Sequence, residues 1–359
     1  MQLVTRFGSV TRRMHNKTFT ADNQVTILGG RNIGNAYFGA DSDVSFGDLD
    51  VALIGAVVDD VSQSFDVYWN HPLAYPISSL YRTKLDKQKM FSAKKEFDDY
   101  LKNQKNSEYA KMLLNSDLAA NITQSNIHYA WSNAMILVDE PDKIQASRDQ
   151  HDLMLFKKLK PYFMGVKKEL IVVSPYFVPG GKGVNNFVEL VKRGVSVKIL
   201  TNSLASTDVE IVHAGYSRYR KDLLKGGVQI YEMKSKLNKF GKSKNKYLGS
   251  SKSSLHAKYF IMDRKYIFIG SLNLDPRSVF ENTEIGVLIT DKGTGRVVAE
   301  RFDNNIMDFA FKLSLFDGDI VWSEKTEEGI ITLMVEPNTN WWQRFKLGVL
   351  SWMPGESQL

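Results

Sequence analysis

The amino-acid sequence predicts an α/β protein made of two related halves, the first of them incomplete and carrying a helical insert. From about residue 146 onward, helix-like and strand-like segments alternate, which is the order of βαβ units around a mostly parallel sheet. A set of polar residues also recurs 241 residues further along the chain at unchanged spacing. The length of 359 residues fits about two domains. We therefore expect a first half at residues 1–145 and a second at 146–359.

The first half begins with two strand-like apolar runs, Gln24–Leu28 and Leu49–Val58, separated by a glycine-rich turn. Its next segment, at about 78–125, is rich in lysine and carries aromatic residues three and four positions apart. That spacing predicts an amphipathic helical insert.

The second half alternates without such an interruption. Its predicted elements are helix His151–Phe163, strand Glu169–Val178, helix Val184–Arg193, strand Val195–Leu200, helix Val209–Gly226 and strand Val228–Tyr231. An aromatic and basic tail, Trp341–Met353, closes this half. The tail suits either an interfacial membrane anchor or an ordinary docked terminal helix.

The amino-acid composition excludes several types of functional site and favours one class of partner. The chain has no cysteine, which excludes disulfides, thiolate metal sites, iron–sulfur clusters and a catalytic cysteine. Its formal net charge of +7 favours anionic partners, whether phosphate esters, nucleic acid or an anionic membrane face. No apolar stretch is long enough for a membrane span, and the first ten residues lack the pattern of a secretory signal.

The repeated residues form two copies of one motif. Each copy has the pattern His-x-Lys-x4-Asp-x6-Gly-(Gly or Ser)-x-Asn, made by His15, Lys17, Asp22, Gly29, Gly30 and Asn32 in the first and by His256, Lys258, Asp263, Gly270, Ser271 and Asn273 in the second. The apolar residues between Asp and Gly predict a strand, a turn and a second strand, with the polar residues at the strand ends. Such residues can converge on one site.

Two histidines on opposite sides of a phosphodiester suit displacement at phosphorus, because the attacking atom and the leaving group must lie roughly in line. One imidazole attacks while the other, protonated, donates to the departing alkoxide. Lys17 and Lys258 would hold the non-bridging oxygens, and Asn32, Asn273 and the Ser271 hydroxyl would donate hydrogen bonds to them. This scheme requires no metal and no cofactor.

A carboxylate follows each motif, before the next apolar strand. Asp50 and Glu284 occupy comparable places, and either could bond an imidazole Nδ1 and fix its tautomer. Asp48 competes with Asp50 for this role, and an ordinary exposed strand acid is the alternative.

The motif pair resembles the two HKD motifs of the phospholipase D superfamily. Further segments, including Gly29–Phe38, Ser174–Pro179 and Gly270–Ser278, are similar to bacterial cardiolipin synthases of the C type. The resemblance implies two α/β sandwich halves related by a pseudo-twofold axis with one shared site. It also implies phosphatidyl transfer through a phosphohistidine.

By the same resemblance, His15 is the nucleophile and His256 the general acid, whereas Asp22 and Asp263 are structural. Gly30 and Ser271 are the equivalent substrate-binding positions of the two motifs, and because Gly30 has no side chain, one phosphate-binding hydroxyl is absent on that side.

We assign Tyr176 and His213 to the substrate channel, with a packed core as the alternative for both. The other histidines lack metal-ligand spacing.

Three activities fit the motifs: synthesis of cardiolipin from phosphatidylglycerol and a second phospholipid, hydrolysis of phospholipids to phosphatidic acid, and a phosphodiester nuclease. We expect the first, at the cytoplasmic side of the bacterial inner membrane, with anionic phospholipids and the membrane surface as partners. An accessory subunit or a homo-oligomer stays open, and nucleic acid is not expected. A lipid-binding relic without activity is the non-enzymatic alternative.

The two copies also differ in what precedes them. Roughly a hundred residues of βαβ pattern precede His256, whereas fourteen residues precede His15. The comparison predicts that the chain is a fragment, or a shortened reading frame, of a protein about a hundred residues longer. It also predicts an unpaired apolar sheet edge in the first half.

Overall fold

The structure, a computed structural model, describes residues 12–40, 44–81, 86–235 and 252–352. The chain divides into two units, Met1–Val67 with Ser132–Leu359, and Tyr68–Trp131. The insert predicted at about 78–125 lies within the smaller unit, whose described helices are α2 (Ile77–Leu80), α3 (Lys87–Lys105), α4 (Glu108–Leu114) and α5 (Asp117–Thr123). Side-chain caps begin the last three: Asp86, Ser107 and Ser116 each accept a backbone N–H from the first turn of the following helix.

The first half of the larger unit is short. Its elements are β1 (Thr18–Ala21), β2 (Val25–Gly29), β3 (Val44–Gly47), β4 (Asp50–Ile54) and the first part of α1 (Val57–Trp69). The run that predicted a strand to Val58 ends sooner, because Gly55 has a φ of +84° and turns the chain into α1. Strands β1, β2 and β4 form an antiparallel three-stranded sheet.

The rest of the larger unit follows the predicted alternation up to β8. Its elements are β5 (Asn133–Val138), α6 (Leu155–Met164), β6 (Glu169–Val173), α7 (Gly180–Lys192), β7 (Ser196–Asn202), α8 (Glu210–Ser217), α9 (Arg220–Lys225), β8 (Gln229–Met233), β9 (Lys252–Leu255), β10 (Tyr259–Met262), β11 (Tyr266–Gly270), α10 (Pro276–Phe280), β12 (Ile285–Thr290), α11 (Lys292–Phe309), β13 (Ala310–Phe316), β14 (Asp319–Thr326), β15 (Gly329–Leu333) and α12 (Trp341–Trp352). The single helix predicted over Val209–Gly226 is two helices.

Ten of these strands form one sheet in the order β15-β14-β13-β8-β7-β6-β10-β11-β12-β5. The expectation of a mostly parallel sheet is wrong for the described strands, because in this sheet only the pairings of β6 with β7 and of β7 with β8 are parallel. Short hairpin turns join β10 to β11 and β13 to β14, and such turns permit only antiparallel pairing. β3 and β9 pair separately and in parallel.

Apolar cores cover both faces of the large sheet. On one face, residues of α6, α7 and α9 such as Leu159, Leu190 and Leu223 pack against the strands. On the other, Leu28 and Leu53 of the small sheet pack in one cluster with strand residues of the large sheet and with α11. This sandwich of two sheets brings the two motif copies together.

The duplication is exact in register. Thr18 pairs with Leu28 in the small sheet, and Tyr259, which lies 241 residues later than Thr18, pairs with Ile269 in the large one. The surroundings differ, because β10 also pairs with β6, whereas β1 has no second partner among the described strands. Phe19 of β1 is correspondingly 66% exposed. The expected open edge of the first half is therefore present in the part of the chain that the structure describes.

Candidate active site

The two motif histidines are held by backbone from the opposite half. The His15 N–H donates to the Thr283 carbonyl at 2.9 Å, and the His256 N–H donates to the Gly47 carbonyl at 2.8 Å. These contacts are equivalents in the two copies, and they bring both imidazoles to the seam between the sheets. The convergence predicted from the repeated spacing is thus present in the structure.

Each imidazole also bonds a buried carboxylate from the other half. His15 Nδ1 lies 2.8 Å from Glu284 Oε2, and His256 Nδ1 lies 2.7 Å from Asp48 Oδ2. Both carboxylate side chains are fully buried. Because an ionised carboxylate only accepts, Nδ1–H donates and the Nε2 lone pair is left for chemistry.

The structure corrects the choice of Asp50 as the first carboxylate. Asp50 pairs with Gly29 across the sheet, and its counterpart in the second copy is Gly286, which pairs with Gly270. Counting back two residues from each makes Asp48 the equivalent of Glu284. Asp50 instead accepts from Arg31 Nε at 2.5 Å. Sequence spacing could not decide this, because acids two residues apart on an extended chain face the same side.

The electrostatics of the His256 pair favour a charged carboxylate. Burial alone would raise the pKa of Asp48, but the His256 hydrogen bond and the charge of Lys258 together hold that pKa below its usual value. Burial, as the largest cause, lowers the pKa of His256, although Asp48 opposes this. A negative charge bound beside His256 would favour its protonated form.

The two motif lysines lie in the same buried region. Lys17 Nζ donates to the His15 carbonyl at 2.9 Å, and Lys258 Nζ donates to the His256 carbonyl at 2.5 Å. Burial lowers the pKa of Lys17 to about 8 and that of Lys258 to about 7, while Asp48 and Glu284 oppose the shift. The positive charge of Lys17 further lowers the pKa of Lys258. A bound anion would favour the charged form of both lysines.

The structure assigns Ser271 and Gly30 roles different from those predicted. The Ser271 hydroxyl donates to Glu284 Oε2 at 2.5 Å and accepts from the Ile285 N–H, so its only proton is used inside the protein. At Gly30, a Cβ atom would lie 2.8 Å from Asp48 Oδ1 and 3.1 Å from the Lys258 side chain. The first motif therefore lacks a hydroxyl because Asp48 and Lys258 leave no room for a side chain.

Each motif asparagine bonds a hydroxyl five residues further along the chain. Asn32 Nδ2 donates to the Tyr37 hydroxyl at 2.8 Å, and Asn273 Nδ2 lies 3.4 Å from the Ser278 hydroxyl. Their donation to a phosphate remains a prediction.

Tyr176 borders this region, whereas His213 does not. The Tyr176 hydroxyl donates to Asp208 at 2.8 Å, and burial, followed by Asp208, raises the pKa of Tyr176. His213 is buried elsewhere: its Nδ1 lies 3.2 Å from the Asn202 carbonyl and its Nε2 lies 3.1 Å from Glu336. Its assignment to a substrate channel is wrong, because both ring nitrogens are used in a closed structural network.

That network has the donor atoms of a metal site. His213, Glu232 and Glu336 place them within 4.8 Å of one another. Arg220 Nη1, however, lies 3.1 Å from Glu232 and 2.9 Å from Glu336. The guanidinium already supplies the positive charge that a bound ion would bring, so the residues do not fit a metal.

Sequence reasoning missed three residues around the histidines. The Tyr37 and Phe46 rings lie against His256, with centroids 4.9 and 5.6 Å away. Tyr37 falls in the conspicuous segment that follows the first motif, so a signal existed. Asp139 accepts the Glu284 N–H at 2.7 Å and also bonds Lys143. No local pattern marks Asp139, because its contact spans 145 residues of chain.

Comparison with known proteins identifies relatives of this chain. A family profile described as "Cardiolipin synthase, PLD-like domain" matches residues 160–306. Cardiolipin synthase C of Escherichia coli (strain K12) is 36% identical over 356 residues, which are 98% of this chain and 74% of that protein. The chain belongs to the phospholipase D-like cardiolipin synthase family. Membership of this family places it among enzymes of phospholipid synthesis.

A second protein and a solved structure are also similar to this chain. An uncharacterized protein of Helicobacter pylori (strain J99) is 32% identical over 338 residues, which are 92% of this chain and 64% of that protein. The solved phosphatidylserine synthase of Haemophilus influenzae Rd KW20 shares the fold, with a TM-score of 0.54 and 14% identity over 94% of this chain and 67% of that one. Among the helices that the structure describes, none is long and apolar enough to span a membrane.

Proposed function

We propose that the protein is a phosphatidyltransferase that makes cardiolipin from phosphatidylglycerol and a second phospholipid through a phosphohistidine. The observation that carries the proposal is the pair of crossed contacts, His15 with Glu284 and His256 with Asp48. Two oriented imidazoles at one seam supply an attacking group and a proton donor on opposite sides of a phosphodiester.

In the first step, His15 Nε2 attacks the phosphorus of the donor phospholipid. The bond from phosphorus to the headgroup oxygen breaks, and His256 gives its proton to the departing alkoxide. Glu284 stabilises the positive charge that develops on His15. Lys17 and Lys258 stabilise the negative charge on the non-bridging oxygens.

In the second step, His256 is the base. It takes the proton from a glycerol hydroxyl of phosphatidylglycerol, whose oxygen attacks the phosphohistidine. The P–N bond breaks and His15 is released, so that the products are cardiolipin and the headgroup alcohol of the donor. Water in place of phosphatidylglycerol would give phosphatidic acid instead.

Labelled phosphatidylglycerol in detergent micelles tests the proposal. Labelled diphosphatidylglycerol is the expected product. Phosphatidic acid as the sole product would replace transfer by hydrolysis, and cleavage of DNA without any lipid product would refute the lipid assignment.

The histidine roles need a separate experiment. With the donor labelled in its phosphatidyl part, His15→Ala should abolish the acid-labile covalent label. His256→Ala should retain it when the headgroup is a good leaving group, because such a group needs no proton. Label retained on His15→Ala would reverse the two assignments.

The proposal extends to peripheral binding at the cytoplasmic face of the inner membrane, supported by α12. Leu347 of this helix is buried with Leu204 and Ala214, which docks α12 on the protein. Its aromatic residues face outward, with exposures of 66% at Trp341, 60% at Trp342 and 90% at Trp352. Exposed tryptophans beside basic residues are typical of helices that bind a lipid interface.

Co-sedimentation with phosphatidylglycerol vesicles tests this placement. The double variant Trp341→Ala/Trp342→Ala should weaken vesicle binding by about tenfold or more. Trp131→Ala is the matched control, because Trp131 is 81% exposed but lies outside α12. Equal losses in the two proteins would refute α12 as the membrane-binding element.

A further inference from the structure

An open cavity of about 570 Å³ lies among α6, α7 and α10, outside the histidine site. Its walls are mostly apolar and include Phe163, Phe177, Phe187, Val279 and Phe280. Protein interiors are normally packed without large voids, and apolar cavities that do exist can take up apolar ligands. The volume falls within the range of about 300 to 1,000 Å³ typical of small-molecule sites.

The rim of the cavity is basic. Lys157, Lys160 and Lys182 line it, and all three side chains are exposed. Lys157 forms an ion pair with Asp152, whereas Lys160 and Lys182 form none with a residue that the structure describes. The acid in the wall, Asp275, is buried and caps α10 by accepting the Ser278 N–H, and it forms no ion pair with a rim lysine among the described residues.

The cavity is separated from the histidine site by a thin wall. Leu274 and Phe177 line the cavity, and each directly follows a residue assigned to the site, Asn273 and Tyr176. The two wall segments are joined, because the Val178 N–H donates to the Leu274 carbonyl at 2.8 Å. The cavity is therefore a separate compartment beside the reacting groups.

We propose that this cavity binds a single acyl chain whose anionic head lies at Lys160 and Lys182. An apolar interior with a cationic mouth is complementary to a chain that ends in a carboxylate or phosphate. A free fatty acid and one chain of an anionic membrane phospholipid both have this chemistry. The inference does not depend on the proposed function, since it concerns binding and needs no turnover.

Calorimetric titration of the full chain with the sodium salts of saturated fatty acids below their micelle concentrations is the first arm. We expect one site per chain and an affinity that rises about fourfold for each methylene added from eight carbons, until the cavity is full. Phosphatidylglycerol vesicles loaded with a fluorescent acyl chain are the second arm. Saturable binding in the first arm identifies a free acid, and binding in the second alone identifies a membrane lipid.

Variants decide whether either signal comes from the cavity. Lys160→Glu/Lys182→Glu should weaken binding at least tenfold, and Asn186→Trp, which places a large side chain in the exposed lining of α7, should abolish it. The matched control is Lys158→Glu/Lys192→Glu, which makes the same charge change on the same helices outside the lining. Absence of binding in both arms, or binding that Asn186→Trp or the rim variant leaves unchanged in a folded protein, overturns the proposal. So does an equal loss in the control.

Discussion

Each motif imidazole bonds one carboxylate that is distant in sequence, so under the proposed mechanism we expect Asp48 and Asp50 to differ sharply under substitution. Asp48→Asn should lower kcat by about 100-fold or more, because the amide lacks the negative charge and can turn its N–H toward Nδ1, which favours the wrong His256 tautomer. Asp50→Asn weakens only the contacts that Asp50 makes with Arg31 and should change kcat little. Steady-state assays of phosphatidyl transfer measure both, with Glu284→Gln as the equivalent change at His15. Equal losses for Asp48→Asn and Asp50→Asn would contradict the assignment.

The buried lysines predict a pH dependence. A lysine binds phosphate oxygens as a cation, and burial lowers the pKa of Lys258 to about 7 and that of Lys17 to about 8. In the free enzyme their charge is therefore present below about pH 7 and lost as the pH rises through 7 to 8. We expect kcat/KM to fall over this window.

The rate profile with a short-chain soluble substrate checks this expectation. The substrate phosphodiester does not titrate here, so the alkaline limb reports the enzyme. A kcat/KM that stays constant up to pH 9 would contradict the lysine assignment.

At the residue scale, the sequence was sufficient to predict the site residues whose spacing repeats, but not the side chains that contact them in the fold. His15, His256, Lys17 and Lys258 could be predicted because the motif occurs twice. The choice between Asp48 and Asp50 required the sheet register. The hydrogen bond from the Ser271 hydroxyl to Glu284 could be identified only from the positions of both side chains in the structure.

At the scale of elements, the two motif aspartates provide a matched pair for stability. Asp263 accepts backbone N–H groups from Lys167, Lys168 and Glu169 at 2.7 to 3.2 Å, which fixes the entrance to β6. Asp22 is exposed and accepts from no such segment among the described residues. The φ angles are nearly equal, 51° for Asp22 and 54° for Asp263. Substitution by alanine therefore adds the same backbone strain to both.

Asp263→Ala should lower the free energy of unfolding by about 2 kcal/mol more than Asp22→Ala, because only the first leaves several N–H groups without their charged acceptor. Urea unfolding followed by circular dichroism measures the difference. Equal destabilisation would mean that the β6 entrance does not depend on the carboxylate.

The elements themselves were predicted best where the hydrophobic pattern was local. The strands and helices between α6 and β8 lie close to their predicted ranges, whereas the parallel arrangement expected for the whole sheet holds only for β6, β7 and β8. The strands from β10 onward join the sheet through hairpins, α10 and α11, and their order is set by long-range pairing that periodicity does not encode.

At the scale of the whole molecule, the buried charge of Lys258 lowers the free energy of unfolding. The folded-state pKa of Lys258, about 7, lies below the value of 10.5 for a free side chain. Between these values the unfolded chain binds more protons, so the contribution of this lysine to folding becomes less unfavourable as the pH rises. Lys258→Met should abolish transfer yet raise the free energy of unfolding by about 2 kcal/mol at pH 7.

Chemical unfolding at pH 7 and pH 9 tests this. The gain from Lys258→Met should shrink at pH 9, where the wild-type lysine is neutral in the fold. A variant that is less stable than the parent at both values would contradict the expected desolvation cost.

The contacts of each histidine with a carboxylate of the other half also determine which residues would be missing from each of two separately expressed fragments. A polypeptide ending at Trp131 would contain His15 without Glu284, and one beginning at Ser132 would contain His256 without Asp48. Each piece would thus present an imidazole with no acceptor on Nδ1. Under the proposed function, neither piece could transfer a phosphatidyl group alone, and activity would return only when the two pieces associate. The two fragments could therefore serve as a complementation assay, in which restored activity reports that two separately made polypeptides have associated.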